Sequence, residues 1–440
     1  MTAMSVVSVC HARLASGVPT LYRIECTNGT ISSILPDYPH SQPHTDVHAE
    51  GGLVIPSLAH AHLHLDKCSI LDRSDLLTGD FSEALKVTNA AKAAFKDDPD
   101  DLYRRGERLV CESVQCGVTS IRAHVEVDEA VGLLCVETGL QLSAAFREVC
   151  DVQIAAFAQE PLFVGSSTEP GENYALLVRA LDKHADRIKV VGSAPYVEPS
   201  IAQAKLNIGL VLDLAIKHHL HADFHLDYNL DPSSEPLIHT VISEAKRRAW
   251  PSELGIAIGH ATRLQLFTPA EWEALGAAME SLPIKLIGLP QSDMYMMGRS
   301  AFDAPLGAPR GTLRVPQLAS RHGIRVAMAV NNVQNAFTPQ GSLDPLALCT
   351  LGVALFQSAT PADLRELLRA VTLTAKQAVA EPRVHKDLTL AVGDPADLLV
   401  LHGTPDVATA VLNPGLDRTT IRAGVVVARR RVSRWIAGTR

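Results

Sequence analysis

Between residues 53 and 334, short apolar runs alternate with longer amphipathic stretches, and this rhythm constrains the fold more than any other feature of the chain. The runs read LVIPSLAHAHLHL, GVTSIRAHVEV, VQIAAFAQE, IKVVGSAPYV, HADFHLDY, GIAIGHAT, IKLIGLPQ and IRVAMAVNN. Mainly β-branched or apolar, they have the pattern of strands covered on both faces. Helical patterns such as DDLYRRGERLVCESVQCG and NIGLVLDLAIKHHL lie between them. TPAEWEALGAAMESL opens with a capping box, Thr268 and Glu271, and places Pro269 at the first helical position. Strand–helix units repeated in this way close naturally into a (β/α)8 TIM barrel, here residues 56–384 of an α/β protein.

The two ends differ. Residues 1–55 and 385–440 carry short strand patterns separated by turns, such as LYRIECTNGTISSILP, in which Asn28-Gly29 is a strong hairpin signal. A helix beginning Thr360-Pro361-Ala362-Asp363 separates the barrel from the C-terminal strands. Together the ends predict a small β-sandwich domain built from both termini. The connection SILPDYPHSQPHTDVHAEGG contains His40, His44 and His48, which read as surface-loop residues and not as ligands.

With 440 residues, 47% hydrophobic and 20% charged, the chain can bury a large core and is neither disordered nor fibrous. A net charge of −8 argues against a nucleic-acid partner. The basic cluster Arg429, Arg430, Arg431 and Arg434 reads as a solvated terminal strand. Eight cysteines without a C-x-x-C pair read as reduced thiols of a cytoplasmic protein. No apolar run reaches the ~18–20 residues of a membrane span, so no membrane partner is expected. The N-terminus lacks the basic region of a signal peptide. A homo-oligomer stays open.

In AHAHLHLDK, His60, His62 and His64 recur at every second position, which puts them on one face of an extended chain. Barrel enzymes carry their functional side chains at the C-terminal ends of strands. At those ends stand His62 and His64 on strand one, Gln159 and Glu160 on strand three, His225 on strand five, His260 on strand six, and Asn331 and Asn332 on strand eight. Imidazoles in this number suit one divalent ion, Zn²⁺ or Fe²⁺. His60, toward the buried end of its strand, is the one least suited to join them.

The segments GGLVIPSLAHAHLHLDK, DFHLD, IGHAT, GDPADLLVL and IRAGVVVA, in this order and spread over almost the whole chain, resemble the amidohydrolase superfamily. More narrowly they resemble its cytosine-deaminase-like branch of metal-dependent hydrolases. The resemblance implies a mononuclear metal barrel with metal ligands His62, His64 and His225. It also implies that His260 orients or polarises the water on the metal and that the Gln159 amide binds substrate. The end of strand four, VVGSAPYV, has no lysine, so a binuclear site bridged by a modified lysine is not expected.

Two positions depart from the family pattern. After the strand-five histidine the family reads His-x-Asp-Glu, whose Glu shuttles protons; this chain reads His225-Leu226-Asp227-Tyr228. At strand eight the family has a metal-binding Asp where this chain has Asn331. Asn binds through its carbonyl but accepts no proton at neutral pH, and an unperturbed Tyr titrates near ~10. Asp227, Asp66, Glu160 and His260 are the candidates to compensate.

Three readings follow for the activity on a small-molecule substrate. The first is a metal-dependent hydrolase or deaminase attacking a C–N bond of a small cyclic compound, with His260, Tyr228 and Asp227 as catalytic groups and Gln159 and Asn331 binding substrate. The second is a hydrolytically silent barrel reused as a cyclase or pericyclase, isomerase or lyase on a secondary-metabolite-like substrate. Met294, Tyr295, Met296, Met297 and Phe302, in LPQSDMYMMGRSAF, would offer it adaptable apolar contacts. The third is a non-catalytic binding protein.

Overall fold

The computed structural model describes residues 6–37, 46–298, 310–433 and 435–437. Near the N-terminus lie β1 (Val6–Ala12), β2 (Tyr22–Thr27), β3 (Thr30–Pro36), β4 (Val47–His48) and β5 (Leu53–Pro56). The first four form a sheet in the order β3-β2-β1-β4. Its β2–β3 hairpin turns at Asn28 and Gly29, both at positive φ (52° and 73°), as a two-residue type I′ turn requires.

Eight parallel strands follow: β6 (Leu58–His64), β7 (Val118–Glu126), β8 (Asp151–Ala158), β9 (Val190–Ser193), β10 (His221–Leu226), β11 (Ile256–His260), β12 (Ile284–Gly288) and β13 (Val326–Met328). Each pairs with the next along the chain, and helices fill the intervals. The circle closes just beyond β13, where Asn331 N–H donates to the His62 carbonyl (3.2 Å) and His64 N–H donates to the Asn331 carbonyl (2.8 Å). The fold is a (β/α)8 TIM barrel with a separate β domain.

The last strands are β14 (Leu398–Leu401), β15 (Arg418–Arg422) and β16 (Val425–Arg430). They join β5 in a sheet ordered β16-β15-β14-β5, so both ends of the chain build this domain. The run LVIPSLAHAHLHL is therefore two strands, not one. Pro56 ends β5, and the chain changes sheets after Ser57: its N–H still donates to the Asp397 carbonyl, one rung beyond the Pro56–Leu398 pair, whereas the N–H of Leu58 donates to the Gly117 carbonyl beside the barrel. The β domain keeps its own core, including Val9, Ile24, Ile31, Val54 and Leu398.

The helix starts follow their caps. Thr268 and Glu271 form a reciprocal capping box on Pro269–Met279, and Thr360 and Asp363 do the same on Pro361–Ala370. No helix among the described residues is long and apolar enough to cross a membrane.

Candidate active site

Parallel strands carry their side chains in register, so residues at strand ends converge on the barrel axis. His62 and His64 on β6, His124 on β7, His225 on β10 and His260 at the end of β11 form one group of rings. The centroid of His62 is 4.2 Å from His225, 4.4 Å from His124, 5.5 Å from His64 and 5.6 Å from His260. His60 is not among them. The β6–β7 register shifts between His60 and Leu63, and His60 is buried beside Leu343 and Asp344, where burial pushes its pKa down to about 4.

Among the described residues the largest donor set is His62, His124, Asp223 and His225, all buried, with one donor atom of each within 4.8 Å of the others. Both ring nitrogens of His62, His124 and His225 lack a hydrogen-bond partner, as does Asp223 Oδ1. Leaving a buried polar atom unbonded costs roughly 1–3 kcal/mol, so this group needs a further partner. Burial, reinforced by neighbouring cationic groups, holds His62 and His225 well below the usual histidine range, which keeps their lone pairs free. Imidazoles and a carboxylate are the donors a divalent ion of the zinc type takes. The residues fit such an ion. Asp223 is anchored for the purpose, its Oδ2 accepting from Arg122 at 3.1 Å while Oδ1 stands 3.2 Å from His124 Nε2.

This set differs from the sequence expectation of His62, His64 and His225. His64 groups instead with Asp66 and Glu126, although its ring stays 5.1 Å from that of His225 and lines the pocket. His124 and Asp223 were not expected. Each carried a legible signal: His124 sits late in the second apolar run, and Asp223 lies two residues before His225, on the same strand face.

His260 is held from behind. Its Nδ1 is 3.0 Å from Asp293 Oδ1, and Asp293 Oδ2 accepts from Thr312 Oγ1 (2.7 Å) and Leu289 N–H (3.2 Å). Tyr228 lies over the His260 ring at 3.7 Å between centroids. Its hydroxyl is buried with no hydrogen-bond partner among the described residues, and burial raises its pKa well above the ordinary value, so it remains a protonated donor. Asn331 donates from Nδ2 to Ser292 Oγ (2.8 Å), which leaves its buried Oδ1 unpaired.

The structure does not bring Asp227 to the pocket. Both carboxylate oxygens turn to the start of the helix Ile238–Arg247, accepting from Leu237 N–H (2.7 Å) and Ile238 N–H (3.1 Å). Glu160 also faces elsewhere, 3.6 Å from the Lys92 ammonium.

Above the donor set, a pocket is lined by Lys67, Phe81, Gln159, Tyr196, Tyr228 and Phe337, together with His64, His225, His260, Asn331 and Asn332. Lys67 Nζ donates to Glu126 (2.8 Å) and to Gln159 Oε1 (3.3 Å), and Gln159 Nε2 donates to the Tyr196 hydroxyl (3.3 Å). The Phe81 ring covers the assembly, 5.7 to 6.0 Å from the rings of Tyr228, Phe337 and Tyr196. Beneath it the cavity is about 10 Å³, close to the room one water needs. Met296 and Met297 pack against Tyr228 and Phe337 in the same cluster, as apolar wall; Phe302 lies outside the described residues.

The chain is 24% identical over 409 residues to a pterin deaminase of Rhizobium rhizogenes (strain K84 / ATCC BAA-868), covering 92% of this chain and 87% of that protein. It is 24% identical over 362 residues to the N-isopropylammelide isopropyl amidohydrolase of Pseudomonas sp. (strain ADP), covering 81% of each. Among solved structures it is similar to a 5-methylcytosine deaminase from Klebsiella pneumoniae, liganded with phosphonocytosine. There the TM-score is 0.83 at 25% identity, over 98% of this chain and all of that one (100%). No family model matches the chain.

Proposed function

This chain belongs to the amidohydrolase superfamily, in its cytosine-deaminase-like branch, and from that premise we propose that it is a metal-dependent hydrolase cleaving a C–N bond of a small cyclic substrate. The observation that carries the reading is the buried donor set His62, His124, Asp223 and His225, whose ring nitrogens and Asp223 Oδ1 lack hydrogen-bond partners and which reaches an aromatic pocket through His225. The relatives support it: their names describe the release of ammonia or an amine from ring-bearing compounds. A divalent ion in this position, zinc or iron, supplies Lewis acidity and lowers the pKa of water toward ~7.

The chain's own residues do the rest. Phe81 and Phe337 offer apolar faces to a planar ring, and Lys67 and the Gln159 amide hold polar ring substituents at its edge. His260, fixed at Nδ1 by Asp293, presents Nε2 to the reacting centre and moves a proton there. Tyr228 donates a hydrogen bond from its protonated hydroxyl and takes no proton. Asn331 Oδ1 accepts from substrate or water without ionising. The absence of carboxylates at these two positions implies slow turnover on the relatives' own substrates. The cysteines, nearly all buried, agree with a cytoplasmic setting.

The test is a panel of aminopyrimidines, pterins and N-alkylaminotriazines incubated with zinc- or iron-loaded protein, with released ammonia or amine and product mass as readouts. The proposal predicts hydrolysis of at least one compound, abolished in His225→Ala and by a chelator. Turnover that survives chelation, or a product of unchanged mass, contradicts it and would favour a cyclase or isomerase.

A further inference from the structure

A second group of soft donors stands in the β domain, away from the barrel. Cys10 and His11 lie late in β1 and His48 ends β4; the parallel pairing of these strands sets Cys10 opposite His48. One donor atom from each of Cys10, His11 and His48 lies within 4.8 Å of the others. The rings of His11 and His48 stack with centroids 4.5 Å apart and planes 21° from parallel.

The local backbone is shaped to bring them together. The β1–β2 register breaks between Val9 and Ala12, and within that break His11 holds φ at 51°, a conformation non-glycine residues rarely adopt. Asp37, whose side chain is fully buried, accepts from the His11 backbone N–H at 2.7 Å and lies 3.2 Å from His11 Nδ1. A carboxylate behind an imidazole is the arrangement that orients metal-ligating histidines. The N–H of Glu50 donates to His48 Nδ1 at 3.1 Å, so the proton of the neutral ring sits on Nε2 and the lone pair on Nδ1. His48 is exposed but ends the strand β4 and does not lie in a surface loop, and its ring is tied into the domain.

We propose that Cys10, His11 and His48 form a second metal site, for a soft or borderline divalent cation of the zinc class, with Asp37 orienting His11. A thiolate with two imidazoles selects such an ion over magnesium or calcium. Binding releases the thiol proton of Cys10 to solvent, and the ion replaces the Glu50 N–H at His48 Nδ1. Water completes a tetrahedral set. The ion would tie the two-residue β4 to β1 shortly before the chain enters β5 and the barrel, which gives the site a structural role independent of the proposed hydrolysis.

The barrel donors are nitrogen and oxygen only, so sulfur coordination reports this site alone. Full-length native protein is titrated with cobalt(II) to two equivalents and followed by absorption. The expected result is a thiolate-to-cobalt charge-transfer band that saturates by two equivalents, vanishes in Cys10→Ser, and needs at least about tenfold more cobalt in His48→Ala. With zinc, X-ray absorption should show one sulfur neighbour at ~2.3 Å. No band at two equivalents, or a band unchanged in Cys10→Ser, overturns the proposal. His48 is exposed, so should Cys10→Ser fail to fold, an unshifted titration in folded His48→Ala overturns it equally.

Discussion

Gly259 has no side chain, and His62 occupies the space one would need. A Cβ at 259 would stand 2.6 Å from His62 Cε1 and 2.7 Å from its Nδ1. Gly259→Ala should therefore displace His62, lowering metal content per chain and costing about 1–3 kcal/mol of stability, read by elemental mass spectrometry and urea denaturation. Tyr228 and Asn331 bear on rate more than on folding. Restoring the carboxylates as Tyr228→Glu with Asn331→Asp should raise hydrolysis of a branch substrate by about 10²-fold or more, measured by steady-state kinetics; an unchanged or lower rate would count against the assigned roles. His62 and His225 were legible because alternation and strand-end position both pointed at them. Asp227 was not, since a letter beside a ligand does not reveal that a turn at φ 52° carries its carboxylate to a helix start.

At the scale of elements, that same carboxylate makes a pH prediction. Burial pushes the Asp227 pKa up to about 6, against an unfolded value near ~3.9. The folded state then holds a proton that the unfolded state has released, so the Asp227 contribution to stability falls as pH rises from about 4 to about 6. Asp227→Asn should reduce this loss of stability by up to about 3 kcal/mol, seen by comparing urea midpoints of parent and variant at about pH 4.5 and about pH 6.5; an identical slope would remove Asp227 as its source. The helix Phe81–Ala93 carries the ring that covers the pocket. Glu83 accepts from the backbone N–H groups of Leu77 (2.7 Å), Thr78 (2.9 Å) and Gly79 (2.6 Å), binding the preceding loop to the helix that carries Phe81. Because the cavity under Phe81 is only about 10 Å³, a ring enters only if Phe81 moves. Phe81→Ala should widen the range of substrates accepted and raise KM for the smallest, measured across the same compound panel. Unchanged selectivity would place the entrance elsewhere. Helices and hairpin were readable from local chemistry, the capping boxes at Thr268 and Thr360 and the Asn28-Gly29 turn, because each is decided within a few residues. The split of the first apolar run into β5 and β6 was not, because it depends on distant partners, β14 for β5 and β7 for β6.

For the whole molecule, eight strand runs in order left the barrel as the natural closure, and the two polar, turn-rich ends left little but a domain built from both. The composition of the donor set depends on which strand neighbours which, and a list of strand ends does not give the distances among five histidines. The expected ligands thus fall into two donor groups: His62 and His225 with His124 and Asp223, and His64 with Asp66 and Glu126. If this set holds an ion, the ion stabilises the folded chain by mass action, and a chelator should lower the melting temperature more in native protein than in His62→Ala/His225→Ala. The most direct measurement is the metal content per chain, by elemental mass spectrometry, of native protein and of that double variant, both expressed with zinc and iron available. The account predicts that the folded double variant carries about one ion fewer per chain. Equal content in the two, or a folded native protein free of metal, would contradict it.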